Sequence, residues 1–405
     1  MKEERMMILS MLKDGKISSE EAVQLLEALE ETEPSMEKNN LINVEKTKEK
    51  VNEFGEIAKE QGKKIGDMGI DLGNKIAKSF SNMNFNMDFS GITGRSKSID
   101  TKVEMDISHI EKPIIDIEAI NGGMVVENWD KDFISVEIKC RYKEGLFQEG
   151  EDFFEFYERD NRIVFSPIFT NGISIGLEVF LPNRPYKEVL LKSSNGQIKI
   201  EDFTGEILDL NTSNGPIIVE DIEANEVKLN TKNGKILLDD IIAPKIDANT
   251  GNSSILVEDV ETENINLNSK NGRIYLSDLI AEETTANTSN GSIELEDINS
   301  KKIELKTSNA KVQLNDLNLD KLNYLKIATS NGTIDIDLGQ LNKEIFLDLE
   351  TSISNIDIEL PSLVYELNKQ ANLGKKKIIA HSLNYKEEDG LKLIANTSNA
   401  SIKVY

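Results

Sequence analysis

Two groups of residues have the types and spacing to do chemistry. The first is Gly172-Ile173-Ser174-Ile175-Gly176, the Gly-x-Ser-x-Gly spacing of an esterase nucleophile elbow. That chemistry needs a sharp strand-to-helix turn that exposes the serine to a base. Here the stretch runs on into Leu177-Glu178-Val179-Phe180 with the alternation of a strand, and the chain has only two histidines, His109 and His381. The elbow is rejected. The second group is a series of acids: Glu201-Asp202, Glu220-Asp221, Asp239-Asp240, Glu258-Asp259, Asp278 and Glu296-Asp297. Carboxylates stacked ~5 Å apart repel by up to ~1 kcal/mol per pair in water, which a hard cation such as calcium would relieve. Facing carboxylates would also suit glycoside hydrolysis. Yet a strict repeat makes no member special, whereas an active site breaks its own pattern. The alternative is that each Asp caps a turn and each Glu faces water. No catalytic residue and no cofactor is expected, with calcium the one cation left open.

What positions these acids is a repeat. Asn195, Asn214, Asn233, Asn252, Asn271, Asn290 and Asn309 are each 19 residues apart, and Asn331 follows after 22. Three and five positions after each Asn stand apolar residues, such as Ile198 and Ile200 or Ile217 and Val219. A second short strand contributes Leu208, Val227, Ile246 and Ile265, then Leu210, Leu229 and Leu267. Spacing of two is strand periodicity. A 19-residue unit cannot close a core alone, so copies must stack at ~4.8 Å in parallel. The expected fold is mostly β, a parallel β-solenoid. Asn-Gly is expected to supply the left-handed corner, and the Asn columns to hydrogen-bond from rung to rung.

Around this array the chain changes character. Residues 1–31 read as a helical pair, with Met7, Ile8, Met11 and Leu12, then Ala22, Val23, Leu25, Leu26 and Leu29 at helical intervals. Residues 32–95 read as linker. Within it, 41–80 carries Val44, Val51, Ala58, Ile65 and Leu72 seven apart, an amphipathic helical pattern weakened by five glycines. An irregular β start is expected over 96–192, regular repeats over 193–337, and an irregular β cap over 338–405, where Asn396-Thr397-Ser398-Asn399 returns to the motif. Ile218, Leu237, Leu256 and Tyr275 occupy a column that should face outward. Such a stripe spans ~15 Å and suits a contact surface. Two occupants are open: a partner, with segment 41–80 of the same chain as one candidate, or the chain's own irregular β segment.

The repeated Ser-Asn-Gly-x-Ile-x-Ile/Val-Glu-Asp units that follow Leu181-Pro182 resemble the bacterial "putative adhesin" β-repeat family. The pattern Leu9-x-x-Leu12-x-Asp14-Gly15-Lys16-Ile17-Ser18-x-Glu20-Glu21-Ala22-x-x-Leu25-Leu26 resembles the small SHOCT-like helical domain that precedes it in YvlB- and LiaX-type proteins of Gram-positive bacteria. The resemblance implies a non-enzymatic protein linked to cell-envelope stress, and transfers no catalytic residue. Composition agrees with a contact role. The chain has 47 Lys+Arg against 72 Asp+Glu, a net charge of -25, which disfavours nucleic acid. One cysteine, Cys140, rules out a disulfide framework. No apolar run reaches the ~20 residues of a membrane helix and no signal peptide is read, so a cytoplasmic protein is expected. Membrane association and surface exposure by non-classical export are left open. The function expected is a scaffold or sensor whose residues 1–80 meet a protein or membrane surface, with homo-oligomerisation open. A carbohydrate- or surface-binding adhesin module is the alternative, and a glycan-active enzyme a more distant one.

Overall fold

The computed structural model describes residues 95–148, 150–370 and 375–405. The helical pair at 1–31 and the amphipathic segment 41–80 lie outside the described residues. Every regular element among the described residues is a strand. Ile217 pairs in parallel with Ile198 on one side and Ile236 on the other, and Asn230 sits likewise between Asn211 and Asn249. The same 19-residue register carries on through Ile255, Ile274, Ile293 and Val312. The described residues form a parallel β-solenoid. Leu317 is still 19 residues from its partner Ile298, whereas Tyr324 is 22 from Lys302, so the three extra residues are absorbed between the two strands of that rung.

One corner of each regular rung falls at its acid position. Ile198 and Ile200 point into the core, Glu201 and Asp202 both point out, and Phe203 points in again. The alternation breaks because Asp202 is left-handed, with φ 58°. Asp221, Asp240, Asp259, Asp278, Asp297 and Asp316 repeat it at φ 49–55°. Asp tolerates this region because its short carboxyl can hydrogen-bond locally. The left-handed corner therefore belongs to Asp and not, as the turn chemistry suggested, to Asn-Gly; the repeat glycines have no positive φ. Those glycines answer a different need. A Cβ on Gly215 would lie 1.9 Å from the Gly196 carbonyl oxygen, and one on Gly234 would lie 1.7 Å from that of Gly215. The turns stack too closely for a side chain.

The inward columns fill the coil with Ile, Leu and Val, each worth ~1.5–3 kcal/mol when fully buried. Both ends of the stack depart from chain order. The rung made by Ile114–Ala119 and Asn121–Trp129 lies between Arg162–Pro167 with Ile173–Pro182 on one side and Tyr186–Ser193 with Ile198–Thr212 on the other. At the far end Leu391–Thr397 inserts between Tyr324–Ala328 and Ile345–Thr351, and Ile402–Val404 between Ile334–Ile336 and Ile356–Ile358. Antiparallel strands then finish each end: Phe133–Lys143 with Ser96–Asp106, and Lys376–Ser382 with Leu363–Gln370. Turning back antiparallel restricts the open parallel edge, which is the aggregation hazard of any solenoid.

Candidate functional site

The repeat places three kinds of column side by side. At the turn, Asn233 Nδ2 donates to Asn214 Oδ1 at 2.5 Å, and Asn271 to Asn252 and Asn290 to Asn271 at 2.6 Å. The ladder runs from Asn121 through Asn195, Asn214, Asn233, Asn252, Asn271, Asn290, Asn309 and Asn331 to Asn399. Beneath it a buried hydroxyl column locks rung to rung. Thr231 Oγ1 donates to the Gly215 carbonyl at 3.2 Å and accepts from the Gly234 amide at 3.0 Å. A second amide ladder, Asn230, Asn249, Asn268 and Asn287, runs alongside at 3.1–3.2 Å.

The acids form the second kind of column. Burial pushes the half-buried Asp239 carboxyl up to about 6, with Glu220, Asp259, Asp240 and Asp221 adding repulsion. Asp278 is pushed up to about 6 by burial and then by Asp297 and Asp259. Glu258, Asp221 and Asp316 are also raised, burial first and neighbouring carboxylates next. Among the described residues no three His, Cys, Asp or Glu side chains converge as a metal-binding group.

The third column is the outward stripe. Ile218 is 1% exposed, Leu237 0% and Tyr275 9%, while Leu256 is half-buried. None of the four belongs to the apolar cluster that fills the coil, although their neighbours Ile217, Val219, Ile236 and Leu238 do. Arg273 lies over the Tyr275 ring at 4.9 Å and pairs with Glu294 at 2.8 Å, and the Tyr275 hydroxyl donates to Glu296 at 3.0 Å.

The esterase-like serine has no catalytic setting. Ser174 is 1% exposed inside the strand Ile173–Pro182. His109 bonds Glu158 and His381 lies 3.6 Å from Glu366, so neither histidine is paired with that serine. Sequence reasoning allowed these Asp residues a turn but gave the left-handed backbone to Asn-Gly; its only trace at Asp is an acid one place before each returning apolar residue.

Comparison with known proteins completes the picture. Residues 33–252 and 240–405 match the family described as Toastrack DUF4097, which together take in most of the chain. The chain belongs to the Toastrack DUF4097 family. Residues 3–34 match a SHOCT-like domain, the pattern read at the N-terminus. Among solved structures, this Toastrack chain is similar to a "putative cell adhesion protein" from Clostridium sporogenes ATCC 15579. That likeness is 9% identical, covers 76% of this chain and 99% of that one, and has a TM-score of 0.21. A "putative adhesin" from Parabacteroides distasonis ATCC 8503 is 14% identical, covers 60% of this chain and 98% of its own, and has a TM-score of 0.35. No helix among the described residues is long and apolar enough to cross a membrane.

Proposed function

We propose that this Toastrack chain is a non-enzymatic scaffold or sensor of cell-envelope stress, acting by contact. Residues 1–80 supply the association with a protein or membrane surface, and the solenoid supplies a long rigid face. The observation that supports this reading is the stripe: Ile218, Leu237, Leu256 and Tyr275 are apolar or aromatic, stack rung on rung and sit outside the core cluster. Four successive apolar side chains in a column that alternation turns away from the core are the composition of a contact surface. The equivalence of the rungs supports it as well, since a site that transforms a substrate needs one rung unlike the others.

Leu256 is the member to perturb, because it is half-buried and a substitution there spares the core. In the full chain, Leu256→Glu is expected to change the mass measured by light scattering, the fraction sedimenting with anionic vesicles, or the protease sensitivity of the first 95 residues. The reading fails if all three stay as in the parent while the melting temperature is unchanged. Fractionation of native cells into cytoplasm, membrane and surface then locates the contact, with the cytoplasmic or membrane fraction expected.

A further inference from the structure

One corner of the solenoid has a charge unlike the rest of the chain. The windows 192–197, 211–216, 230–235, 249–254, 268–273, 287–292 and 306–311 hold seven Lys or Arg and no Asp or Glu. At the chain's average density that length would carry about seven acids. These windows stack in register, so the corner is one continuous strip of amides, hydroxyls and cations. Within it lies a furrow of about 670 Å³. Asn230 and Asn249 line one side, Asn233 and Asn252 the other, and Lys232 and Lys270 stand along it. Lys232 and Lys270 are 38 residues apart, which is two rungs or ~10 Å. The position between them is Gly251, so no side chain interrupts the gap.

The furrow's groups are free to bind. Lys232 and Lys270 are exposed and have no carboxylate partner among the described residues. Of the flanking acids, Asp247 is paired with Lys245, Glu304 with Lys302 and Glu294 with Arg273, while Asp209 accepts from the Asn211 amide. Each ladder amide uses one N–H and one lone pair on its neighbours, leaving a second N–H and a second lone pair for a ligand. Donors and acceptors repeat every ~4.8 Å, close to and a little short of the advance per sugar of an extended β-1,4-linked chain. The two lysines, two rungs apart, can each meet a carboxylate carried on alternate sugars. No aromatic ring lines the furrow, which disfavours single-stranded nucleic acid, whose bases need stacking platforms.

We propose that this furrow binds an extended polysaccharide carrying carboxylates at intervals, a site separate from the apolar stripe and beyond the contact function above. The test is calorimetry on the full chain with a β-linked hexasaccharide alternating uronate and N-acetylglucosamine, beside a neutral β-1,4-linked N-acetylglucosamine hexamer and oligo-dT. The uronate is expected to bind, more weakly as salt is raised. Lys232→Glu with Lys270→Glu is expected to lower its affinity about tenfold or more, since two charge-assisted contacts are lost. Both side chains are exposed, so the melting temperature should hold. Lys301→Glu with Lys321→Glu makes the same charge change off the corner and is expected to leave binding within about twofold. The proposal is overturned if the uronate does not bind, if the neutral hexamer or oligo-dT binds as well, or if the two double variants behave alike. Leu256→Glu should leave uronate binding intact, which keeps this result distinct from the stripe's.

Discussion

Asp239 makes the stacked acids measurable. Its carboxyl stands beside Glu220 in the rung below and Glu258 in the rung above, and it is pushed from 3.8 up to about 6. A shift of that size is about 3 kcal/mol between protonation states. Asp239 is only half-buried, and solvent screening reduces this to ~1 kcal/mol. The sign is unusual for an acid. Between about pH 4 and pH 6 the folded chain holds a proton that the unfolded chain has released, so Asp239 costs folding little at pH 4 and its penalty builds as pH rises to 6. Asp239→Asn keeps the shape and removes the charge. It is expected to raise stability by ~1 kcal/mol at pH 7, about 2 °C in melting temperature, and to change nothing at pH 4. Melting of parent and variant by circular dichroism, taken from pH 4 to pH 7, gives the difference directly. Equal effects at both ends, or a loss confined to pH 7, would refute the reasoning.

Thr231→Val deletes the hydroxyl that bridges the Gly215 carbonyl and the Gly234 amide, and is expected to cost about 1–3 kcal/mol because buried partners are left unpaired. Faster hydrogen exchange at the Gly234 amide is the local readout. Asp240, left-handed at φ 52°, should accept Gly with little change, whereas Asp240→Val should lose ~1–3 kcal/mol by thermal melting. Cys140 is buried and its thiol is pushed up to about 12, so it should resist thiol reagents at pH 8 until the chain unfolds, followed by colorimetric titration.

Much of the fold is written locally. The interval between Asn214 and Asn233, with Ile217 and Val219 behind the first and Ile236 and Leu238 behind the second, is enough to set strand, register and stack. The column Ile218, Leu237, Leu256 and Tyr275 was read from the same alternation, but its burial was not, since alternation alone gives these positions to solvent. Three further features were not legible. Asp202 and Asp221 look like ordinary surface acids, because a left-handed backbone leaves no mark beyond the skipped alternation. Asn121-Gly122 carries a degenerate copy of the repeat, but nothing local encodes that it stacks directly on Asn195, 74 residues on, with the intervening strands Arg162–Pro167 and Ile173–Pro182 on its other side. The cation-bearing corner is invisible to net charge, because the acids that dominate the total lie in other columns.

Electron spin labels test the stack itself. Thr204, Ile280 and Asn318 are exposed residues of one column, and the buried Cys140 takes no label. Thr204 and Ile280 are 76 residues and four rungs apart, and Thr204 and Asn318 are 114 residues and six rungs apart. At ~4.8 Å per rung the two pairs should give mean distances of about 19 Å and 29 Å, a rise of ~10 Å for 38 further residues. Distances that do not grow with rung number, or grow at any other pitch, would contradict the stacked 19-residue coil.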